Sequence, residues 1–129
     1  MENIFEQTFL NRLLEQAKAS PRLRMNYDLR TSSADTSQRM LNALIPTTVV
    51  PIHRHEETSE TVVCLCGRLE EIFYEETECG QGFKEIARYL LCPAEGKYGI
   101  QIPNGVWHTI RVIEPSVIFE AKDGAYMPR

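Results

Sequence analysis

Between Thr8 and Ala19 apolar side chains fall at Phe9, Leu10, Leu13, Leu14 and Ala17, the i, i+3, i+4, i+7, i+8 spacing of a helix with one apolar face. That pattern predicts a helix over residues 8–19 with Thr8 as its N-cap and Pro21 beyond its end, packed on the outside of a sheet. Further on the period shortens to that of strands. Residues 38–45, 61–66, 68–76, 83–91, 98–102, 109–112 and 116–122 are rich in β-branched, aromatic and other apolar side chains, and Gly, Pro or Asn punctuate the gaps. Glu75–Glu78 with Cys79-Gly80-Gln81-Gly82 predicts the tip of a hairpin, and Glu114-Pro115 predicts the last hairpin turn. Short strands with turns every ~8–12 residues, preceded by one helix, indicate an all-β antiparallel sandwich or barrel.

Within 38–45, Gln38, Met40, Asn42 and Leu44 share one face and Arg39, Leu41, Ala43 and Ile45 the other. Each face carries a polar residue amid apolar ones, as in a barrel strand with one face on a ligand cavity, and the pattern leaves open which face points inward.

Composition narrows the class. At 129 residues the chain has the length of one domain, 1–129, with a helix and arm in 1–30 and the barrel in 38–122. A domain of this size buries roughly two-thirds of its unfolded surface. A net charge of −4 provides no basic field for nucleic acid or anionic membranes. No stretch has the roughly 18 apolar residues of a spanning helix, and 1–6 lacks the basic region and apolar core of a signal peptide, so a cytoplasmic protein is expected. Four cysteines, Cys64, Cys66, Cys79 and Cys92, are then expected as free thiols. Cys64 is either a small buried hydrophobe or, by alternation from Glu60, a side chain lining the cavity.

Candidate chemistry gathers at two places. In 51–60, Pro-Ile-His-Arg-His-Glu-Glu-Thr-Ser-Glu, strand alternation puts His53 and His55 on one face about 7 Å apart, near enough to share an ion. Glu60 opens the returning strand of a predicted hairpin, so its carboxylate can face the pair. Pro103-Asn104-Gly105 turns the chain into His108, and all three histidines of the chain lie in these two segments. Three neutral nitrogens and one carboxylate suit Fe, Mn, Ni, Co or Zn rather than Ca or Mg. The remaining candidates are substrate-binding: Arg22, Arg24 and Arg39 for an anionic or polyhydroxylated ligand, with Cys64, Tyr98, Glu120 and Tyr126.

The spacing of His53, His55, Glu60 and Gly67, followed by Pro103, Gly105 and His108, resembles the two sequence motifs of the cupins. Thr47 stands where that family has a glycine and Val112 where it has an asparagine, and neither is a ligand position. The chain is also similar to the WbuC family of cupin-fold metalloproteins, on Ser20-Pro21-Arg22-Leu23-Arg24, Gln38-Arg39, Leu41-Asn42-Ala43-Leu44, Phe119-Glu120, Gly124 and Tyr126, with Ala125 where that family has proline. The resemblance implies a double-stranded β-helix, or jelly-roll barrel, with an N-terminal α-helix. It implies one divalent transition metal, a homodimer, and a small sugar or sugar-derived ligand in bacterial surface-polysaccharide biosynthesis.

With four protein ligands an octahedral ion keeps two positions for substrate, which admits isomerase, dioxygenase or hydrolase chemistry. The alternative is a non-catalytic cupin that binds a small ligand or metal as a sensor or accessory protein. A metal-free sugar epimerase is disfavoured by the intact ligand set.

Overall fold

A computed structural model of the chain describes residues 4–124. Helix α1 (Gln7–Ala19) buries Phe9, Leu10, Leu13 and Ala17 against Leu41, Ala43 and Val117 of the sheet, each Leu or Phe contributing about 1.5–3 kcal/mol. The apolar stripe was legible, but the cap was not. Glu6 is the N-cap and makes no side-chain capping bond, while Thr8 already lies in the first turn.

The strands are β1 (Arg24–Asp28), β2 (Ser37–Leu44), β3 (Glu60–Glu76), β4 (Phe83–Leu91), β5 (Gly99–Ile102) and β6 (Trp107–Asp123). All pairings are antiparallel, in the order β1-β2-β6-β3-β4, with β5 on β3. The centre is the pair β3 and β6, each of 17 residues and partnered over almost their whole length, from Thr61↔Ala121 to Tyr74↔Trp107.

Both long strands change partners midway along the one sheet. The first half of β3 and the last half of β6 sit with β5, β2 and β1; the second half of β3 and the first half of β6 sit with β4. Register shifts between Cys64 and Leu69 mark the bend. Gly67 there has φ +102°, and a Cβ on it would lie 2.3 Å from Ser116 Oγ and 2.4 Å from the Pro115 carbonyl oxygen. The expected hairpin turn at Glu114-Pro115 is therefore absent: β6 runs through it. Proline, lacking an N–H, fits the irregular register where no ladder bond is required of it.

A second correction concerns the histidine segment. His53 makes a single bridge to His108, donating to its carbonyl at 3.0 Å and accepting from its N–H at 2.8 Å, and the His55 carbonyl accepts from Gly105 N–H at 2.7 Å. The hairpin expected between this segment and Glu60 does not form; β3 takes β5 and β6 as partners instead. The arm over 21–30 contains an unanticipated strand, β1, that covers one side of β2.

Strand alternation divides the interior. Leu44, Val62, Cys64, Leu69, Leu91, Ile102, Val112 and Ile118 close one end of the barrel with apolar packing. Moving away from that end, the inward positions become polar.

Candidate metal centre and its cavity

The three imidazoles converge. Their candidate ligand atoms lie within 4.8 Å of one another, with ring centroids 4.3 Å apart for His53 and His108 and 5.2 Å for His53 and His55. The intervening Arg54 points the other way and stacks 4.4 Å over the Trp107 ring, as alternation requires when His53, His55 and His108 all face inward.

The tautomers follow from local bonding. His53 Nδ1 lies 2.9 Å from the Pro51 carbonyl oxygen, and His108 Nδ1 lies 2.9 Å from that of Val106. A carbonyl only accepts, so both Nδ1 atoms carry a proton, and in the neutral rings both Nε2 atoms present a bare lone pair. This is how metal-binding imidazoles are held by their surroundings. His108 is 2 % exposed and its buried Nε2 makes no hydrogen bond. Glu60, 6 % exposed, brings Oε1 to 3.5 Å from His108 Nε2 and Oε2 to 3.9 Å from His55 Nε2, ion-pair distances too long for good hydrogen bonds.

Burial raises the Glu60 carboxyl's affinity for its proton, but the neighbouring His108, Lys122 and His55 outweigh it and leave the pKa below its ordinary value. The group therefore faces the imidazoles as a carboxylate. These four residues could hold one ion: the tautomers of His53 and His108 aim their Nε2 lone pairs inward, and His108 Nε2 is buried without a hydrogen bond. Lys122 Nζ is close by, 3.4 Å from His55 Nε2 and 3.8 Å from Glu60 Oε2.

A cavity of about 170 Å³ opens from this centre, room for a small molecule rather than one water. Arg22 and Arg24 from the arm and β1 line it, as do Asn42, Glu71, Glu120 and Lys122.

Among the sequence candidates, His53, His55, Glu60, His108, Arg22, Arg24 and Glu120 thus surround one space. Arg39 does not: it shares the helix-facing side of β2 with Leu41 and Ala43, and its guanidinium donates to the carbonyls of Ser37 (2.6 Å) and Leu29 (3.1 Å). Cys64 packs in the apolar end, with burial pushing its thiol up to about 12; it is the buried hydrophobe, not a wall of the cavity. Tyr98 is 61 % exposed and borders a separate groove with Phe73 and Tyr89. Tyr126 lies outside the described residues.

Glu71, Asn42 and Lys122 were missed. Glu71 had a signal: it shares a strand face with Leu69 and Phe73, an acid flanked on its own face by apolar neighbours.

The sequence profile of a family described as a domain of unknown function, DUF6016, matches residues 5–82. No curated protein matches the chain. Among solved structures, the capsular polysaccharide assembling protein CapF from Staphylococcus aureus is similar at a TM-score of 0.64 and 19 % identity over 84 % of this chain. An oxalate oxidase in complex with the substrate analogue glycolate is similar at 0.63 and 12 % identity, over 84 % of this chain and 55 % of that one. KdgF from Halomonas sp. is similar at 0.62 and 14 % identity, over 83 % of both chains. This chain spans only 28 % of the length of CapF, and these likenesses establish the fold alone. Among the described residues no helix is long and apolar enough to cross a membrane. With more than half its length matched by that profile, the chain belongs to the DUF6016 family, and its fold is the all-β cupin jelly roll.

Proposed function

We propose that His53, His55, Glu60 and His108 hold one divalent transition metal, Fe, Mn, Ni, Co or Zn, and that the chain, as a single cytoplasmic domain, acts on a small oxygen-rich molecule. The observation that carries this reading is the pair of Nδ1–H to carbonyl contacts at His53 and His108, which leave two Nε2 lone pairs aimed into one acid-bearing cluster. Once bound, such an ion would supply Lewis-acid polarisation of a ligand oxygen.

The chain's own residues do the rest. Arg22, Arg24 and Lys122 surround the cavity with positive charge, against the carboxylates of Glu60 and Glu120. A divalent ion adds to that positive side, so the complementary ligand is an anion or a polyol rather than a cation. Guanidinium forks match carboxylate and phosphate geometry. The Lys122 ammonium beside His55 and Glu60 opposes a cation there and must yield its contacts when one binds.

The WbuC-like features, and the description of CapF as a capsular polysaccharide assembling protein, support a sugar derivative in bacterial surface-polysaccharide synthesis as the ligand. The test is elemental analysis after incubation with each of the five metals in turn. The expected result is about one equivalent of the preferred ion, falling at least tenfold in H53A and H108A, since each removes a nitrogen donor. Wild-type protein that takes up less than about a tenth of an equivalent of every metal refutes the reading.

A further inference from the structure

Among the described residues, four buried side-chain atoms make no hydrogen bond: Asn42 Oδ1, Glu71 Oε1, Glu71 Oε2 and His108 Nε2. They come from three strands, β2, β3 and β6, yet all three residues line the one cavity. Buried polar atoms are almost always paired, because an unpaired one costs roughly 1–3 kcal/mol. Scattered defects of packing would not fall on a single space. A bound metal accounts for His108 Nε2, but not for Asn42 and Glu71.

Glu71 is the sharper case. It is 1 % exposed, and on the strand it faces the cavity between the inward positions of Leu69 and Phe73. None of the three cationic side chains of the cavity forms an ion pair with it. A leucine here would bury more apolar surface with no orphaned atoms, so the fold by itself gives no reason for a carboxyl.

Building on the reading of this cavity as a metal-centred ligand site, we propose that Glu71, with Asn42, is one of its ligand-binding groups. The pair hydrogen-bonds the hydroxyl-bearing part of a small hydroxylated carboxylate, whose carboxylate end lies toward Arg22 and Arg24. Asn42 Oδ1 accepts a hydrogen bond from a ligand hydroxyl. Glu71 can accept one and, in its acid form, also donate one. Burial raises the Glu71 carboxyl well above its ordinary range, and the charges of Glu60 and Glu120 push the same way. In its acid form it does not repel an anion.

The experiment is calorimetric titration with three probes: D-glycerate, propionate, which lacks the hydroxyls, and glycerol, which lacks the carboxylate. It is run on the Co(II)-loaded and the chelator-treated protein, for wild type, E71Q and E71L. Wild type is expected to prefer glycerate over both other probes in at least one of the two forms. E71L is expected to lose about tenfold in glycerate affinity, the worth of one buried hydrogen bond, while propionate affinity and Co(II) uptake stay within about twofold. E71Q retains hydrogen-bonding capacity and recovers part of the loss. E71L should melt no lower than wild type, because an unpaired buried polar group has been removed.

The inference is overturned if E71L binds glycerate as wild type does, if it loses glycerate and propionate equally, if it melts well below wild type, or if wild type shows no preference for glycerate in either form. If wild type takes up neither Co(II) nor any of the other four metals, the metal reading alone is refuted, and the chelator-treated titrations then decide the role of Glu71.

Discussion

Replacing Gly67 by alanine tests the bend on which the site depends. At φ +102° an L side chain is strained by about 1–2 kcal/mol. The new Cβ would also meet Ser116 Oγ at 2.3 Å, the Pro115 carbonyl oxygen at 2.4 Å and Ser116 Cα at 2.6 Å. Two of these atoms are backbone, so relief requires moving β6 away from β3, an overpacking cost of about 1–3 kcal/mol. That movement first breaks the hydrogen bond from Arg68 N–H to Ser116 Oγ, 3.0 Å long, at about 1 kcal/mol. Together these give about 4 kcal/mol, a large share of the ~5–15 kcal/mol that holds a typical domain folded. The corresponding fall in melting temperature is about 10–15 °C. Urea denaturation followed by circular dichroism measures the loss of stability, with Gly96→Ala as the reference. Gly96 also has positive φ, +75°, but nothing lies within 4 Å of its Cβ, so it isolates the conformational cost at about 1 kcal/mol. If Gly67→Ala costs no more than Gly96→Ala, the close approach of β3 and β6 is not what demands glycine at the bend.

Asp35 accepts hydrogen bonds from Thr31 N–H (3.0 Å) and Ser37 N–H (2.9 Å), which hold its carboxyl at about 2 against an ordinary 3.8. A lowered folded-state value stabilises the fold above the ordinary value and loses that contribution as pH falls through it toward 2. The stability gap between wild type and D35A should therefore be constant above pH ~5 and shrink below pH ~4; a gap independent of pH over that range contradicts a stabilising role for the Asp35 carboxylate. Phe83, Ile86 and Tyr89 are exposed on β4, which ends the sheet order, and we propose that a second copy pairs there in a homodimer. Light scattering should give twice the 14.8 kDa chain mass at micromolar concentration, and a monomer mass excludes the pairing.

The local patterns of this chain were readable without coordinates because they are properties of neighbours in sequence. The i, i+3, i+4 stripe from Phe9 to Ala17 specified a helix face, the alternation in 38–45 specified two strand faces, and the spacing of His53, His55 and Glu60 specified donors able to meet. Tertiary structure alone decided which faces turned inward. Arg39 and Asn42 are equally polar in the pattern of β2, yet the helix covers one face and the cavity the other, because α1 needed Leu41 and Ala43 for its own apolar stripe. Glu114-Pro115 resembled a turn, but the long-range pairing of β6 with β3 carried the strand through it. Glu71 and Lys122 join the histidines only through pairings between residues distant in the chain, Glu71 with Ile110 and the β6 end with β2 and β3. The sequence therefore determined the donors and their period, whereas the set of side chains sharing one cavity depended on strand register, which no local pattern encodes.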